Sequence, residues 1–261
     1  MWAGFVAGCP VMTASNRFSS ARAPSIRLHM DHALRGGEHL TLDTARAHYL
    51  GTVMRRGVGD ALSLFNATDG EWRAVIERID RKGATLSLTE QIRSPAPEEG
   101  PWLVFALLKR TNTELVVQKA TELGVSRLIP VMTTRTNAER INTARLEAIV
   151  VEAAEQCERL TIPVLQAPQS LPALLRDWPE DRRLYAAIER SDAAHARGVA
   201  GPSALLTGPE GGFAEQELVM LRSHARVIPI SLGRTVLRAE TAAIAGLALL
   251  TAPPVSDMPL E

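Results

Sequence analysis

Leu205-Leu-Thr-Gly-Pro-Glu-Gly-Gly-Phe213 passes within nine residues from an apolar run to a Gly/Pro loop, and a helical pattern opens at Glu215. A buried strand that empties into such a loop leaves free backbone N–H groups at the carboxyl end of a sheet, where open α/β folds bind ligands. A second stretch, Ile230-Ser-Leu-Gly-Arg-Thr-Val-Leu-Arg-Ala-Glu-Thr241, also leads from an apolar strand through a glycine into an apolar helix. Two such loops side by side form a pocket. Neither contains GxxxxGK[ST] or GxGxxG, so nucleoside triphosphate and ordinary dinucleotide binding lose support. A plain strand-to-helix turn is the alternative on loop composition alone.

Outward from these loops, apolar strands and helices alternate. Strands are expected at Trp102–Leu108, Arg127–Met132, Leu184–Ile188, Ala204–Thr207 and Val227–Ser231. Helices are expected from a capping box at Thr111-Asn-Thr-Glu114 to Gly124, and over Thr143–Arg159, Leu171–Asp177, Glu215–His224 and Ala239–Thr251. This alternation implies an α/β unit with a mainly parallel sheet covered on both faces. Between Ile26 and Arg93 the pattern is instead short alternating strands with Gly-containing turns, interrupted by one helix capped by Asp43. That is a small antiparallel β-barrel. Ser94-Pro-Ala-Pro-Glu-Glu-Gly-Pro101 reads as a linker. The expected division is a 1–24 extension, in which Met12 is an alternative start, a 25–93 barrel, a 94–101 linker and a 102–261 α/β domain.

Composition narrows the class. The chain has 261 residues, 29 basic and 29 acidic side chains and 46% apolar residues, enough to bury a sizeable core. The longest apolar run, Ala242–Leu250, is far short of the ~20 residues of a membrane span. Cys9 and Cys157 cannot form a disulfide framework, and His29, His32, His39 and His48 show no metal-ligand spacing, so a cytoplasmic protein without a metal is expected. The neutral total hides a basic segment: Arg17–Arg56 holds seven arginines against three acids. Guanidinium suits phosphate, although a GC-rich genome's preference for arginine codons explains the same bias.

The pair of loops, TGPEGGF and SLGRTVLRAET, resembles the cofactor-binding loops of the SPOUT class of methyltransferases, and within it the ribosomal RNA small subunit methyltransferase E family. The likeness continues through Gln118-Lys-Ala-Thr-Glu-Leu-Gly124, Arg135 and Glu152-Ala-Ala-Glu-Gln-Cys-Glu-Arg159, and spans roughly residues 25–252. It implies a PUA-like RNA-binding barrel followed by a trefoil-knotted α/β domain holding S-adenosylmethionine. It also implies a homodimer that methylates N3 of a uridine of 16S rRNA, in the decoding region of the small ribosomal subunit. Residues 1–24 have no counterpart in the family, and Val236 stands where it tends to have Ile. The cofactor candidates are Leu206, Thr207, Gly208, Pro209, Glu210, Gly211 and Gly212 in the first loop. The second contributes Ser231, Leu232, Gly233, Val236, Leu237, Arg238 and Thr241. Arg17, Arg22, Arg27, Arg55 and Arg56 are the candidates for RNA phosphates. An oxidoreductase and a non-catalytic assembly factor are the competing readings; the first lacks its GxGxxG turn, and the second has no use for paired Gly-rich loops.

Uridine N3 carries a proton and a lone pair delocalised into two carbonyls, so its alkylation needs the proton removed and the anion stabilised. On a helix over Thr143–Arg159, Glu152, Gln156 and Arg159 fall within an arc of about 60° beside the apolar face. Glu152 is the expected base, Gln156 the group orienting the ring, and Arg135 and Arg159 the cations. A solvated face with an ion pair, or a Glu152 that only positions Arg159, are the alternatives.

Overall fold

The computed structural model describes residues 24, 26–136, 141–188, 193 and 198–253. The amino-terminal unit comprises β1 (Arg27–His29), β2 (His39–Leu42), α1 (Thr44–His48), β3 (Ala61–Asn66), β4 (Gly70–Asp80) and β5 (Gly83–Arg93). Asp43 caps α1, its Oδ1 accepting from the Arg46 N–H at 2.8 Å, and one π-helical turn, Tyr49–Val53, extends the helix. The strand order is β1-β3-β4-β5-β2, antiparallel except where β1 runs parallel to β3. Three register shifts along β4 and β5 curl the sheet. Its concave face buries Leu28, Leu50, Leu62, Leu64, Ile76 and Leu86.

The second unit follows with β6 (Trp102–Ala106), α2 (Arg110–Glu122), β7 (Arg127–Met132), α3 (Thr143–Gln156), β8 (Val164–Leu165), β9 (Gln169–Ser170) and α4 (Leu171–Arg176). It is completed by β10 (Arg183–Ala187), β11 (Ser203–Thr207), α5 (Glu215–Ser223), β12 (Val227–Ile230) and α6 (Ala239–Thr251). The strand order is β12-β10-β11-β6-β7-β8, with β9 beside β7, and every pairing is parallel. Alternate residues of each strand serve opposite faces. Leu103, Phe105, Leu128, Tyr185 and Leu205 pack under α2, α3 and α6; Val104, Ala106, Ile129, Leu184 and Leu206 pack against α4 and α5.

Two helix ends differ from the sequence reading. α2 starts at Arg110 with Lys109 as its N-cap residue, because the Thr113 hydroxyl folds back, donating to the Leu108 carbonyl at 3.0 Å and accepting its N–H at 3.2 Å. The expected box at Thr111 does not form. α3 ends at Gln156, and Glu158 adopts a left-handed φ of 61°. This turn takes Arg159 off the helical face on which Glu152 and Gln156 lie.

Arg159 points inward instead. It is 8% exposed, and its guanidinium donates to Glu98 Oε2 at 3.0 Å, to the carbonyls of Thr121 and Val125 at 2.9 and 2.8 Å, and to the Thr161 hydroxyl. Glu98, inside the Pro-rich linker, also accepts from the Leu160 N–H and the Thr161 hydroxyl. Burial pushes the Glu98 carboxyl up, but these hydrogen bonds and the Arg159 charge outweigh it and hold the group below the usual carboxylate range.

Arg27 completes the junction from β1. It pairs with buried Glu71 at 2.9 Å, lies 4.1 Å from the Phe65 ring centroid, and donates to the carbonyls of Ala154, Glu155 and Arg159. A guanidinium of the curled sheet thus satisfies carbonyls at the end of α3 that the helix leaves unpaired. The Arg93 guanidinium adds a bond to the Glu158 carbonyl at 2.8 Å, and Glu155 accepts from the His29 N–H at 2.9 Å.

Candidate active site

The carboxyl ends of the adjacent strands β10, β11 and β12 open into a cavity of about 1090 Å³. Its walls are the two loops whose composition marks them in the sequence, with α2 and the start of α6 closing one side. Twelve of the cofactor candidates line it: Thr207, Gly208, Pro209, Glu210, Gly211 and Gly212 from the first loop, and Ser231, Leu232, Gly233, Val236, Leu237 and Arg238 from the second. Leu206 and Thr241 do not. Leu206 points into the core under α4 and α5, because alternation along β11 sends it to the face opposite its neighbours. Thr241 lies on an exposed face of α6.

The first loop turns tightly through a bond from the Gly212 N–H to the Pro209 carbonyl at 2.9 Å. Gly212 has a φ of +67°, and a Cβ there would project into open space. The position therefore keeps backbone within reach of the cavity and selects glycine by its left-handed conformation. Gly208 answers to a different constraint, since a Cβ would lie 3.1 Å from the buried Phe213 ring.

Buried Glu217 ties this loop to the one after β7. Its Oε2 accepts the Ala214 N–H at the start of α5, and its Oε1 accepts the Thr134 N–H, each at 2.8 Å. Next to Thr134, exposed Arg135 lines the cavity and donates to the Gly211 carbonyl at 2.8 Å. Among the lining side chains are four cations, Lys109, Arg135, Arg234 and Arg238, and two carboxylates, Glu210 and Glu240. The excess of positive charge fits an anionic partner.

The structure separates the four catalytic candidates. Arg135 alone is at the cavity. Glu152, with 65% of its side chain exposed, faces Arg145 at 3.9 Å, and Gln156 is exposed on the same surface; neither lines the cavity. Arg159 is the buried clamp of the junction, its donors taken up by protein oxygens, so a catalytic role for it is corrected. The phosphate candidates divide likewise. Arg17 and Arg22 lie outside the described residues. Arg27 is buried and saturated, which removes it as a surface cation. Arg55 is exposed with a φ of 52°, and half-buried Arg56 follows it after the π-helical turn.

Lys109 and Asn112 line the cavity without having been singled out by motif. One signal was available: this chain has only three lysines, and Lys109 follows directly on a buried apolar strand.

Residues 98–251 match the family model described as an RNA methyltransferase domain, and residues 42–89 match an RNA methyltransferase PUA domain. The chain is 35% identical over 206 residues to a ribosomal RNA small subunit methyltransferase E of Rickettsia conorii, covering 77% of this chain and 84% of the relative. It is 32% identical to the Synechocystis protein of that name, covering 82% and 73%. Among solved structures, a putative methyltransferase of Legionella pneumophila in complex with the cofactor SAM superposes with a TM-score of 0.77 at 30% identity, covering 87% and 96%. A ribosomal RNA small subunit methyltransferase E from Neisseria gonorrhoeae bound to S-adenosyl methionine has the same TM-score at 25% identity, covering 85% and 95%.

Proposed function

The chain belongs to the ribosomal RNA small subunit methyltransferase E family, and from that premise we propose that it methylates N3 of a specific uridine of 16S rRNA, in the decoding region of the small subunit, with S-adenosylmethionine as donor. The observation that carries the reading is the cavity beyond β10, β11 and β12, formed by two Gly-containing loops and rimmed by cations. S-adenosylmethionine fits the residues present: backbone at Gly212 and Gly233, each with a positive φ and open space where a Cβ would be, admits close approach. Ser231 and Thr207 offer hydroxyls, and Leu232, Val236 and Leu237 offer apolar wall for an adenosine. When bound, the group supplies an electrophilic methyl on a sulfonium sulfur.

Arg135 is the cation that the loops bring to the reacting base. Fixed by the Gly211 carbonyl and by the Glu217 bridge to its loop, it stabilises negative charge on the uracil oxygens as the N3 proton leaves. Exposed Arg55, with Arg56 beside it, takes backbone phosphates from the barrel side.

The remaining features belong to the same proposal. The barrel of residues 25–93 binds RNA, and the α/β domain of 102–261 carries the cofactor in a trefoil knot. Bonds from the N–H groups of Gly198 and Val199 to the carbonyls of Leu249 and Leu250, which lay the segment before β11 across the end of α6, support the knot. From Ala242 to Leu250 α6 is apolar on every side, and Ala248 within that stretch is exposed, which supports a homodimer packed through this helix. Such a substrate implies a cytoplasmic enzyme; among the described residues no helix is long and apolar enough to cross a membrane.

The test is nucleoside mass spectrometry of 16S rRNA after incubating the protein with S-adenosylmethionine and small subunits lacking the modification. The expected product is 3-methyluridine at one position, formed faster on assembled subunits than on naked rRNA. Methylation of a different nucleoside, or none, overturns the reading.

A further inference from the structure

One wall of the cavity is built where the starts of two helices meet. At its α2 side stand Lys109, the N-cap residue of α2, and Asn112 in the first turn; facing them, Glu240 is the second residue of α6. Asn112 Nδ2 donates to Glu240 Oε2 at 3.4 Å in a half-buried setting. A carboxylate in the first turn of α6 offsets the helix dipole whichever way its side chain turns. This one lines the cavity and is held by a side chain of another helix. The other lining carboxylate, Glu210, sits exposed in the first loop.

We propose that this wall receives the target base, with Glu240 as the catalytic residue that takes the N3 proton, Asn112 as its positioning residue, and Lys109 as a second cation at the uracil oxygens. The assignment rests on the methyltransferase reading above. In uracil the N3–H lies between two carbonyl oxygens, so a base that reaches the proton approaches between them, and the oxygens are left for cations. Arg135 and Lys109 come to the cavity from different loops, after β7 and after β6, and so can serve different oxygens. The N3–H bond breaks with its electron pair left on the ring, the proton goes to a Glu240 oxygen, and Glu240 later releases it to water. A carboxylate is a weak base for an imide, and two cations on the developing anion offset that weakness.

Glu240→Gln keeps the shape and the acceptor for Asn112 but cannot take a proton. Single-turnover transfer to small subunits at neutral pH is expected to fall about 10²-fold or more, with the circular dichroism spectrum and the calorimetric affinity for S-adenosylmethionine unchanged. Its rate should then climb about tenfold per pH unit, as hydroxide replaces the carboxylate, while the unsubstituted enzyme shows a shallower rise. Asn112→Leu should reduce the rate while keeping the enzyme's own pH profile, since the base remains. Lys109→Met should lower it about tenfold at unchanged cofactor affinity. An E240Q rate within about threefold of the parent, a pH slope equal to the parent's, or a parallel loss of cofactor affinity overturns the assignment. A parent enzyme that methylates no uridine overturns the reaction reading and this assignment with it. An active parent with an unimpaired E240Q variant overturns the assignment alone.

Discussion

The junction at the end of α3 and the cavity beyond β10, β11 and β12 both depend on arginines, but they surround them differently. At the junction, Arg27 and Arg159 are buried, and their donors end on carboxylates and backbone carbonyls of the same chain. At the cavity, Arg135 is exposed and gives the Gly211 carbonyl one bond, and among the described residues nothing else takes up its guanidinium donors. A guanidinium has five donors; where the protein takes them up, it is a structural clamp. Where it does not, the group is available to a substrate. Residue type and helical spacing do not distinguish the two cases.

The contrast is most easily broken at Arg159. Arg159→Met should cost about 2–4 kcal/mol, because it takes the counter-charge from Glu98, which keeps its bonds from Leu160 and Thr161, and the donor from the buried Thr121 and Val125 carbonyls. Urea unfolding followed by circular dichroism measures it, and a cost below about 1 kcal/mol would remove the clamp role. Arg135→Ala should do the opposite: about a 10²-fold loss of methyl transfer with a change in stability within about 0.5 kcal/mol. If the two variants exchanged phenotypes, the comparison would be inverted.

Gly212→Val sharpens the cavity side. Two effects coincide there, a side chain in the space assigned to the cofactor and a left-handed φ that costs a branched residue about 1–2 kcal/mol. Calorimetry should give a cofactor affinity at least about tenfold lower with the fold retained. Unchanged affinity would move the ligand elsewhere in the cavity.

The junction also predicts an acid limit. Because the Glu98 carboxyl is held below its ordinary value in the folded chain, its contribution to stability is complete above the unfolded carboxylate pKa and is lost as pH falls through the lowered folded one. Melting temperatures should therefore drop more steeply below the ordinary carboxylate range in the parent than in Glu98→Gln. Parallel curves would show that Glu98 carries no such linkage.

The smallest effect is expected at Glu152→Gln. Exposed on α3 and away from the cavity, it should change methyl transfer less than threefold, about the scatter of a surface substitution. A 10²-fold loss would return Glu152 to the mechanism, and would require α3 of a second copy at the cavity.

The local pattern carried much of the architecture. Continuous apolar runs between helical patterns marked the parallel sheet, since strands covered on both faces read that way, as Trp102–Ala106 and Ala204–Leu206 do. The hairpins of the curled sheet were legible from Gly70 and Gly83, both at positive φ in tight turns. Gly212 and Gly233 marked the cavity for the same reason: a backbone conformation that only glycine adopts freely shows in the sequence itself.

What the tertiary structure alone decided was where long polar side chains end. One left-handed residue, Glu158, turned Arg159 from the Glu152 face into the protein, and no periodic pattern signals such a residue when it is not glycine. Arg27 belongs to a basic segment, yet it is drawn inside because Glu71 lies across from it and the carbonyls at the end of α3 need donors. Asn112 and Glu240, 128 positions apart, meet because α2 and α6 pack on the same face of the sheet. The sequence by itself therefore determined the sheet, the two loops and the family likeness, all of which rest on backbone conformation and short-range periodicity. The partners of each charge depend on distances between segments remote in the chain, and those exist only once the chain has folded.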